Sequence, residues 1–172
     1  LRYDRALPVV LIAEEMDRFV SALTATKYRD RAIVWLLKDG GVRIGEALSL
    51  QLSDINWGKR VLTVQAAKTR TERMVPVSTE AMAVLSNYVR LERPKMLSHD
   101  KAFVNLGRRG HGQPLSYCSW VAVCRQARKA ANTPRVHAHA FRHTFATNMA
   151  ESGMPLDALR DILGHRNMDT VM

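Results

Sequence analysis

The chain has 172 residues and 47% hydrophobic content, which suits a single folded domain and argues against a disordered chain. Lys and Arg number 26 against 16 Asp and Glu, and this net charge of +10 points to nucleic acid or an anionic membrane surface as the partner. No apolar run is long enough to span a bilayer or to serve as a signal peptide. Cys118 and Cys124 form no C-x-x-C pattern, so we expect reduced cytosolic thiols without a metal or redox role.

The start of the chain predicts a linker followed by two helices. Residues 1–11 are basic and contain Pro8, as an interdomain linker would. A helix follows Glu14-Glu15, and its apolar residues recur at helical spacing: Met16, Phe19, Val20 and Leu23. A second helix, roughly Arg29 to Lys38, is apolar nearly all round and should lie at the centre of the core. Asp39-Gly40-Gly41 is expected to end it.

The segment after this turn contains a cation with two alternative interpretations. Arg43 begins a short helix whose apolar residues face inward, and Glu46 follows three residues later. One interpretation is an ordinary exposed ion pair, worth about 0.2–0.5 kcal/mol. The other is an Arg placed by the Gly40-Gly41 turn, with Glu46 orienting its guanidinium group.

The middle of the chain changes to β-type periodicity. Three short strands are predicted, at Asp54–Trp57, Val61–Gln65 and Arg73–Val77. The connection between the last two carries Lys68 and Arg70, and Arg73 follows it. These cations form either a solvated turn or a tip that enters a DNA groove. The predicted fold class is therefore α+β, a mainly helical domain with a small three-stranded antiparallel sheet.

Two further helices and a loop add basic surface. A helix capped by Ser78 or Thr79 ends near Arg93-Pro94, and another spans Ser116 to Ala131. The second has four residues predicted to face inward: Tyr117, Val121, Cys124 and Ala127. Its outer face and the preceding loop provide cations that are either solvated or in contact with DNA phosphates: Arg125, Arg128 and Lys129 on the helix, Arg108 and Arg109 in the loop.

The segment His139–Thr147 pairs a proton-transfer group with a fixed cation. His139 and Arg142, three residues apart, share a helix face, while Phe141, Phe145 and Met149 form an apolar stripe beside it. An Arg presents a planar fork of donors that matches a phosphate, and a His titrates near neutral pH. A last helix opens at Pro155 and ends at Gly164, with His165 just beyond.

Three segments together carry a family resemblance: Gly41-x-Arg43-x-x-Glu46, the hairpin Lys68, and His139-x-x-Arg142 with Leu163-Gly164-His165. In order and spacing they resemble the catalytic domain of the tyrosine recombinases, the phage integrase family. The resemblance runs from about Leu7 to Met172. Two departures, Phe141 where the family usually has Leu and Ile12 where a capping Ser or Thr is common, do not touch the chemistry.

The resemblance implies covalent phosphodiester chemistry. In this family a Tyr attacks a DNA phosphodiester, which gives a 3′-phosphotyrosyl bond and a free 5′-hydroxyl, and a second 5′-hydroxyl reverses the step. The bond energy is retained, so no ATP, metal or other cofactor is implied. The catalytic roles carried over are charge stabilisation by Arg43 and Arg142, proton donation to the leaving oxygen by Lys68, acid–base work by His139 and phosphate contact by His165. Glu46 would support Arg43.

The resemblance also sets expectations about domains and partners. Residues 1–11 are expected to lead from an N-terminal DNA-clamping domain outside this chain, and residues 12–172 to be the catalytic domain. The family's nucleophilic Tyr would fall just after Met172, since all four Tyr residues lie upstream in the wrong segments. The expected partner is double-stranded DNA at a specific recombination site, bound by a homotetramer with accessory DNA-bending proteins, in the cytoplasm at the nucleoid.

Two alternatives remain besides a site-specific recombinase. A type IB topoisomerase shares the catalytic core and would relax supercoiled plasmid that lacks any specific site. A remnant of an integrase would occupy DNA without cutting it. The short connections and the Leu163-Gly164-His165 signature favour the recombinase.

Overall fold

The computed structural model describes residues 9–65 and 72–164. Within these ranges the helices and strands follow in this order: α1 (Ala13–Ser21), α2 (Arg29–Gly40), α3 (Ile44–Ser49), a 3₁₀ turn (Leu52–Asp54), β1 (Ile55–Asn56), β2 (Val61–Gln65), β3 (Glu72–Pro76), α4 (Thr79–Asn87) with a π-helical continuation (Tyr88–Glu92), α5 (Tyr117–Ala131), α6 (Ala138–Glu151) and α7 (Leu156–Leu163). No helix in the described part of the chain is long and apolar enough to cross a membrane.

The predicted sheet is confirmed, with strand order β1-β2-β3 and antiparallel pairing throughout. In the β2–β3 register Val64 lies opposite Arg73 and Leu62 lies opposite Val75. Leu62, Val64 and Val75 are buried, so one face of the sheet packs on the helices. Because alternate residues of a strand share a face, Arg73 is on the same inward face as Val75.

Helix α2 is the centre of the core, as its nearly continuous apolar sequence predicted. Its residues Ile33, Val34, Leu36 and Leu37 are fully buried, and it packs against both α4 and α6. From α6, Phe141 meets Phe19 of α1 with ring centroids 5.8 Å apart. The helix that carries His139 and Arg142 is thus fixed to the core by its apolar stripe.

A second, smaller apolar cluster attaches α7 to α6, through Phe145, Leu159 and Leu163. Gly41, at the end of α2, closes against this cluster with φ of +59°. A Cβ at that position would collide with the Phe145 ring and lie 3.1 Å from Leu163. Only glycine fits the conformation and the space, so the turn brings α2, α6 and α7 into close contact.

Of two local predictions from the sequence, the helix cap is confirmed and one buried position is wrong. Ser78 caps α4 by accepting a hydrogen bond from the N–H of Ala81, as predicted. The inward position of Tyr117 was wrong, because this first residue of α5 is 59% exposed and Trp120 is buried instead. Trp120, Cys124 and Ala127 recur at helical spacing, which sets the buried face one turn further along α5.

Candidate active site

Arg142 is the buried cation of the site. It lies on α6 with only 8% of its surface exposed, and donates hydrogen bonds to the carbonyl oxygens of Gly41 and, at 2.6 Å, Leu163. Burial, with a further contribution from the Arg43 charge, lowers the pKa of Arg142 to about 10. The group therefore remains a cation at neutral pH, held in one orientation by backbone acceptors.

Those acceptors exist because two helices end here. Gly41 follows α2 in the left-handed conformation, and Gly164 ends α7 in the same conformation, with φ of +67°. The last carbonyl groups of a helix have no partner within it and carry the negative end of the helix dipole. Leu163, the last residue of α7, thus offers an oxygen that suits a guanidinium group.

Arg43 brings a second guanidinium to the same oxygen. Its Nη1 donates to Leu163 O at 3.5 Å and to Glu46 Oε1 at 3.1 Å. Its side chain is 38% exposed, in contrast to the buried Arg142. Two cations therefore converge at the end of α7, one fixed inside the protein and one facing solvent.

Glu46 binds the Arg43 guanidinium, as expected if it orients that group, and it also binds Arg73. Its buried carboxylate accepts the Arg43 N–H at 2.7 Å and also two bonds from Arg73, at 2.8 and 2.7 Å. Burial alone would raise the pKa of Glu46, but the hydrogen bonds from Arg73 and Arg43 outweigh it and lower that pKa. Glu46 is therefore an anion shared by two arginines.

Arg73 departs from the sequence prediction, which grouped it with the exposed cations of the hairpin. Its side chain is 11% exposed, and besides Glu46 its Nε donates to Ile162 O at 2.7 Å. The alternation of the strand explains this, because Arg73 shares the inward face with Val75. The expectation that Arg73 is an exposed cation of the hairpin is therefore wrong, because its donors are used inside the protein.

Three histidines surround the first turn of α6. His139 is exposed on this turn, and His137 caps the helix, because its Nδ1 accepts the N–H of Ala140 at 3.2 Å. The pKa of His137 is lowered mainly by burial and further by the nearby charges of His139, Arg128 and His143. The pKa of His143 is also lowered mainly by burial, with smaller contributions from His139 and Arg142. This cap was not predicted from the sequence, and the signal for it is the position of His137 just before the first residue of α6.

The remaining predicted residues divide into three groups. Lys68, Arg70 and His165 lie outside the described residues. Arg108 and Arg109 are exposed in their loop, and so are Arg125 and Lys129 on α5, where Arg128 is half-buried. The described part of the predicted site thus unites Arg43, Glu46 and Arg142, with His139 on the same helix as Arg142.

The sequence pattern that defines the Phage integrase family matches residues 10–172. The chain belongs to the phage integrase family. The tyrosine recombinase XerD of Staphylococcus saprophyticus is 33% identical to this integrase-family chain over 176 residues, covering 98% of the chain and 58% of the relative. The chain therefore spans less than two thirds of that curated relative.

Solved structures show the same fold. The crystal structure of XerA recombinase matches this integrase-family chain with a TM-score of 0.83 and 29% identity, covering 96% of the chain and 59% of XerA. The XerH site-specific recombinase bound to a palindromic difH substrate matches with a TM-score of 0.77 and 21% identity, covering 96% of the chain and 49% of XerH. The fold is that of tyrosine recombinase catalytic domains.

Proposed function

We propose that the chain is the catalytic domain of a site-specific DNA recombinase or integrase, which cuts and rejoins DNA through a 3′-phosphotyrosyl bond without metal or ATP. The observation that carries this proposal is the convergence of Arg43 and Arg142 on Leu163 O. Membership of the phage integrase family supports it.

The two arginines are suited to transition-state stabilisation. Negative charge grows on the non-bridging oxygens of a phosphodiester under attack, and preorganised donors lower the energy of that state. Arg142 is fixed by two carbonyl oxygens, and Arg43 is oriented by Glu46 yet 38% exposed. Arg43 can thus meet a phosphate from solvent while Arg142 adds a cation that does not have to reorganise.

The other roles rest on the family resemblance. Lys68 would protonate the departing 5′-oxygen, His139 would exchange a proton with the nucleophile, and His165 would donate to the phosphate. The nucleophile would be a Tyr outside this chain. Cleavage then replaces the bond from phosphorus to the 5′-oxygen with one to the Tyr oxygen, and rejoining reverses it.

The proposed partner is double-stranded DNA at a specific site, bound by a homotetramer with the help of DNA-bending proteins at the nucleoid. Phosphate contacts would come from the exposed cations of α5 and its preceding loop, together with Arg70. A net charge of +10 supports this partner.

A strand-joining assay tests the chain itself. A nicked duplex carries a 3′-phosphate esterified with p-nitrophenol next to a free 5′-hydroxyl. The 5′-oxygen attacks phosphorus, its proton passes to a basic side chain, and p-nitrophenolate leaves. The same transition-state groups serve cleavage and joining, so the chain should accelerate release of p-nitrophenolate, and Arg43→Ala or Arg142→Ala should reduce joining by about 10²–10⁴.

The control is Arg160→Gln, which removes a partly exposed cation of α7 whose Nη1 lies 4.0 Å from Asp157 Oδ1. Its joining rate should equal that of the unmodified chain. Joining no faster than in buffer would contradict the proposal. Binding without joining would instead favour the non-cleaving remnant. Relaxation of plasmid without any specific site, by a longer protein that carries the chain, would favour a type IB topoisomerase.

A further inference from the structure

Arg73 connects three elements at the site. It lies on β3, its Nη1 and Nη2 bind Glu46 of α3, and its Nε binds the Ile162 carbonyl of α7. We propose that Arg73 is a positioning residue that orients Arg43 for phosphate binding by holding Glu46. This inference rests on the proposed function and adds a residue to its machinery.

The Glu46 carboxylate is held in one plane by Arg73. Two parallel bonds from one planar guanidinium prevent rotation of the carboxylate. The same two carboxylate oxygens also bind Arg43: Oε2 accepts from the backbone N–H of Arg43 at 2.7 Å, and Oε1 accepts from the Arg43 Nη1 at 3.1 Å. The plane that Arg73 imposes on the carboxylate therefore sets the direction in which Arg43 is held.

The Arg43–Glu46 pair alone is too weak to hold that direction. Arg43 is 38% exposed, so water competes for its bond to Glu46 and the pair contributes little by itself. The side chains of Arg73 and Glu46 are 11% and 5% exposed, so water competes little for their bonds. Rigidity at the site thus originates from the buried pair.

The charge of Arg73 also keeps Arg43 available to a phosphate. Arg73 and Arg43 both bind Glu46 and share its negative charge. If a neutral residue replaced Arg73, the Glu46 oxygens that Arg73 binds would be open to the Arg43 guanidinium. Arg43 would then turn toward Glu46, and its donors would be withdrawn from the phosphate.

Arg73 acts on the end of α7 as well. It binds Ile162 O, and its guanidinium packs so closely on Gly164 that a Cβ there would lie 3.1 Å from Nη1. Leu163, between these two residues, offers the oxygen that Arg43 and Arg142 share. Arg73 therefore also fixes the acceptor on which the two cations converge.

The joining assay, with wild-type chain, Arg73→Gln, Arg73→Lys and the control Arg160→Gln, tests this inference. Arg73→Gln should reduce the joining rate at saturating DNA by about 10²-fold, the cost of a misplaced catalytic group. Its Kd for DNA should change no more than that of Arg160→Gln. Arg73→Lys, which keeps the charge but not the two-pronged geometry, should fall between.

A suppressor variant separates positioning from simple loss of structure. Adding Glu46→Gln to Arg73→Gln removes the anion that would capture Arg43, so the double variant should join strands faster than Arg73→Gln alone. Thermal unfolding identifies which variants fold. If Arg73→Gln does not fold, the rate of Arg73→Lys decides, with a reduced rate supporting positioning.

Two results would overturn the inference while leaving the proposed function intact. The first is a folded Arg73 variant that joins strands at the wild-type rate. The second is a double variant that is slower than Arg73→Gln. Failure of the wild-type chain to join strands would instead count against the proposed function itself, so the two failures are distinguishable.

Discussion

Replacing each of the two converging arginines by Ala should separate stability from catalysis. Arg142→Ala and Arg43→Ala both remove a cation from the proposed phosphate site, so both should reduce strand joining. Arg142→Ala should also unfold the protein clearly more easily than Arg43→Ala does. The structural reason is that Arg142 is 8% exposed and bound to two carbonyl oxygens, whereas Arg43 is 38% exposed at the surface.

The loss of stability expected for each variant follows from the hydrogen bonds that the substitution removes. In Arg142→Ala the buried Gly41 carbonyl no longer accepts from a guanidinium, and leaving a buried acceptor unpaired costs about 1–3 kcal/mol. In Arg43→Ala, Glu46 keeps both bonds from Arg73, so the cost should be about 0.2–1 kcal/mol. At about 2–4 °C per kcal/mol for a domain of this size, Tm should fall by about 2–12 °C in Arg142→Ala.

Thermal unfolding followed by circular dichroism measures both values. Arg142→Lys is the matched variant, because it keeps a charge but cannot bind both carbonyl oxygens in the geometry of a guanidinium. Its Tm should lie between those of the wild type and Arg142→Ala. A Tm of Arg142→Ala equal to that of the wild type, or a Tm of Arg43→Ala below that of Arg142→Ala, would contradict this prediction.

Two further predictions concern pH and DNA affinity. The pKa of His137 lies below 6.5 in the folded state, so the stability it contributes is present above pH 6.5 and is lost as the pH falls toward that lower value. His137→Asn keeps a capping side chain, so urea unfolding at pH 5–7 should show a stability that depends less on pH than in the wild type. His137→Ala removes the cap and should lower the free energy of unfolding by about 1 kcal/mol at pH 7. The same dependence of stability on pH in the wild type and both variants would contradict the cap. The chain should bind duplex DNA of any sequence with a Kd of about 10⁻⁴–10⁻⁶ M at physiological salt, weakening steeply as salt rises. Replacing Arg125 and Lys129 by Gln should reduce the salt slope in fluorescence anisotropy by about 0.9 for each phosphate that is no longer neutralised, and an unchanged slope would remove α5 from the interface.

The fold was predictable because its determinants are local. The apolar sequence of α2 and the Phe141–Phe145 stripe of α6 state which surfaces are buried. Gly41 and Ser78 mark a helix end and a helix start. The grouping of Arg43, Glu46 and Arg142 in one site was an expectation from the resemblance to the tyrosine recombinases.

The features that the sequence did not reveal depend on distant partners or on backbone atoms. Arg73 looked like one more hairpin cation, because its partners Glu46 and Ile162 are 27 and 89 residues away. The acceptors that hold Arg142 are carbonyl groups, which every residue has, so no residue type marks them. Tyr117 shares a helix face with Trp120 and Cys124, but it is exposed because the buried part of that face begins one turn later, at Trp120.

Trapping the covalent complex tests the proposed attack on a DNA phosphate by a Tyr outside this chain. A longer protein carrying this chain would be incubated with a suicide substrate, digested, and its DNA-linked peptide sequenced by mass spectrometry. We predict a Tyr located after Met172, joined to a 3′-phosphate, with a free 5′-hydroxyl on the other fragment, and no adduct with the 172-residue chain alone. A link to a 5′-phosphate, or an adduct on Tyr3, Tyr28, Tyr88 or Tyr117, would contradict the account.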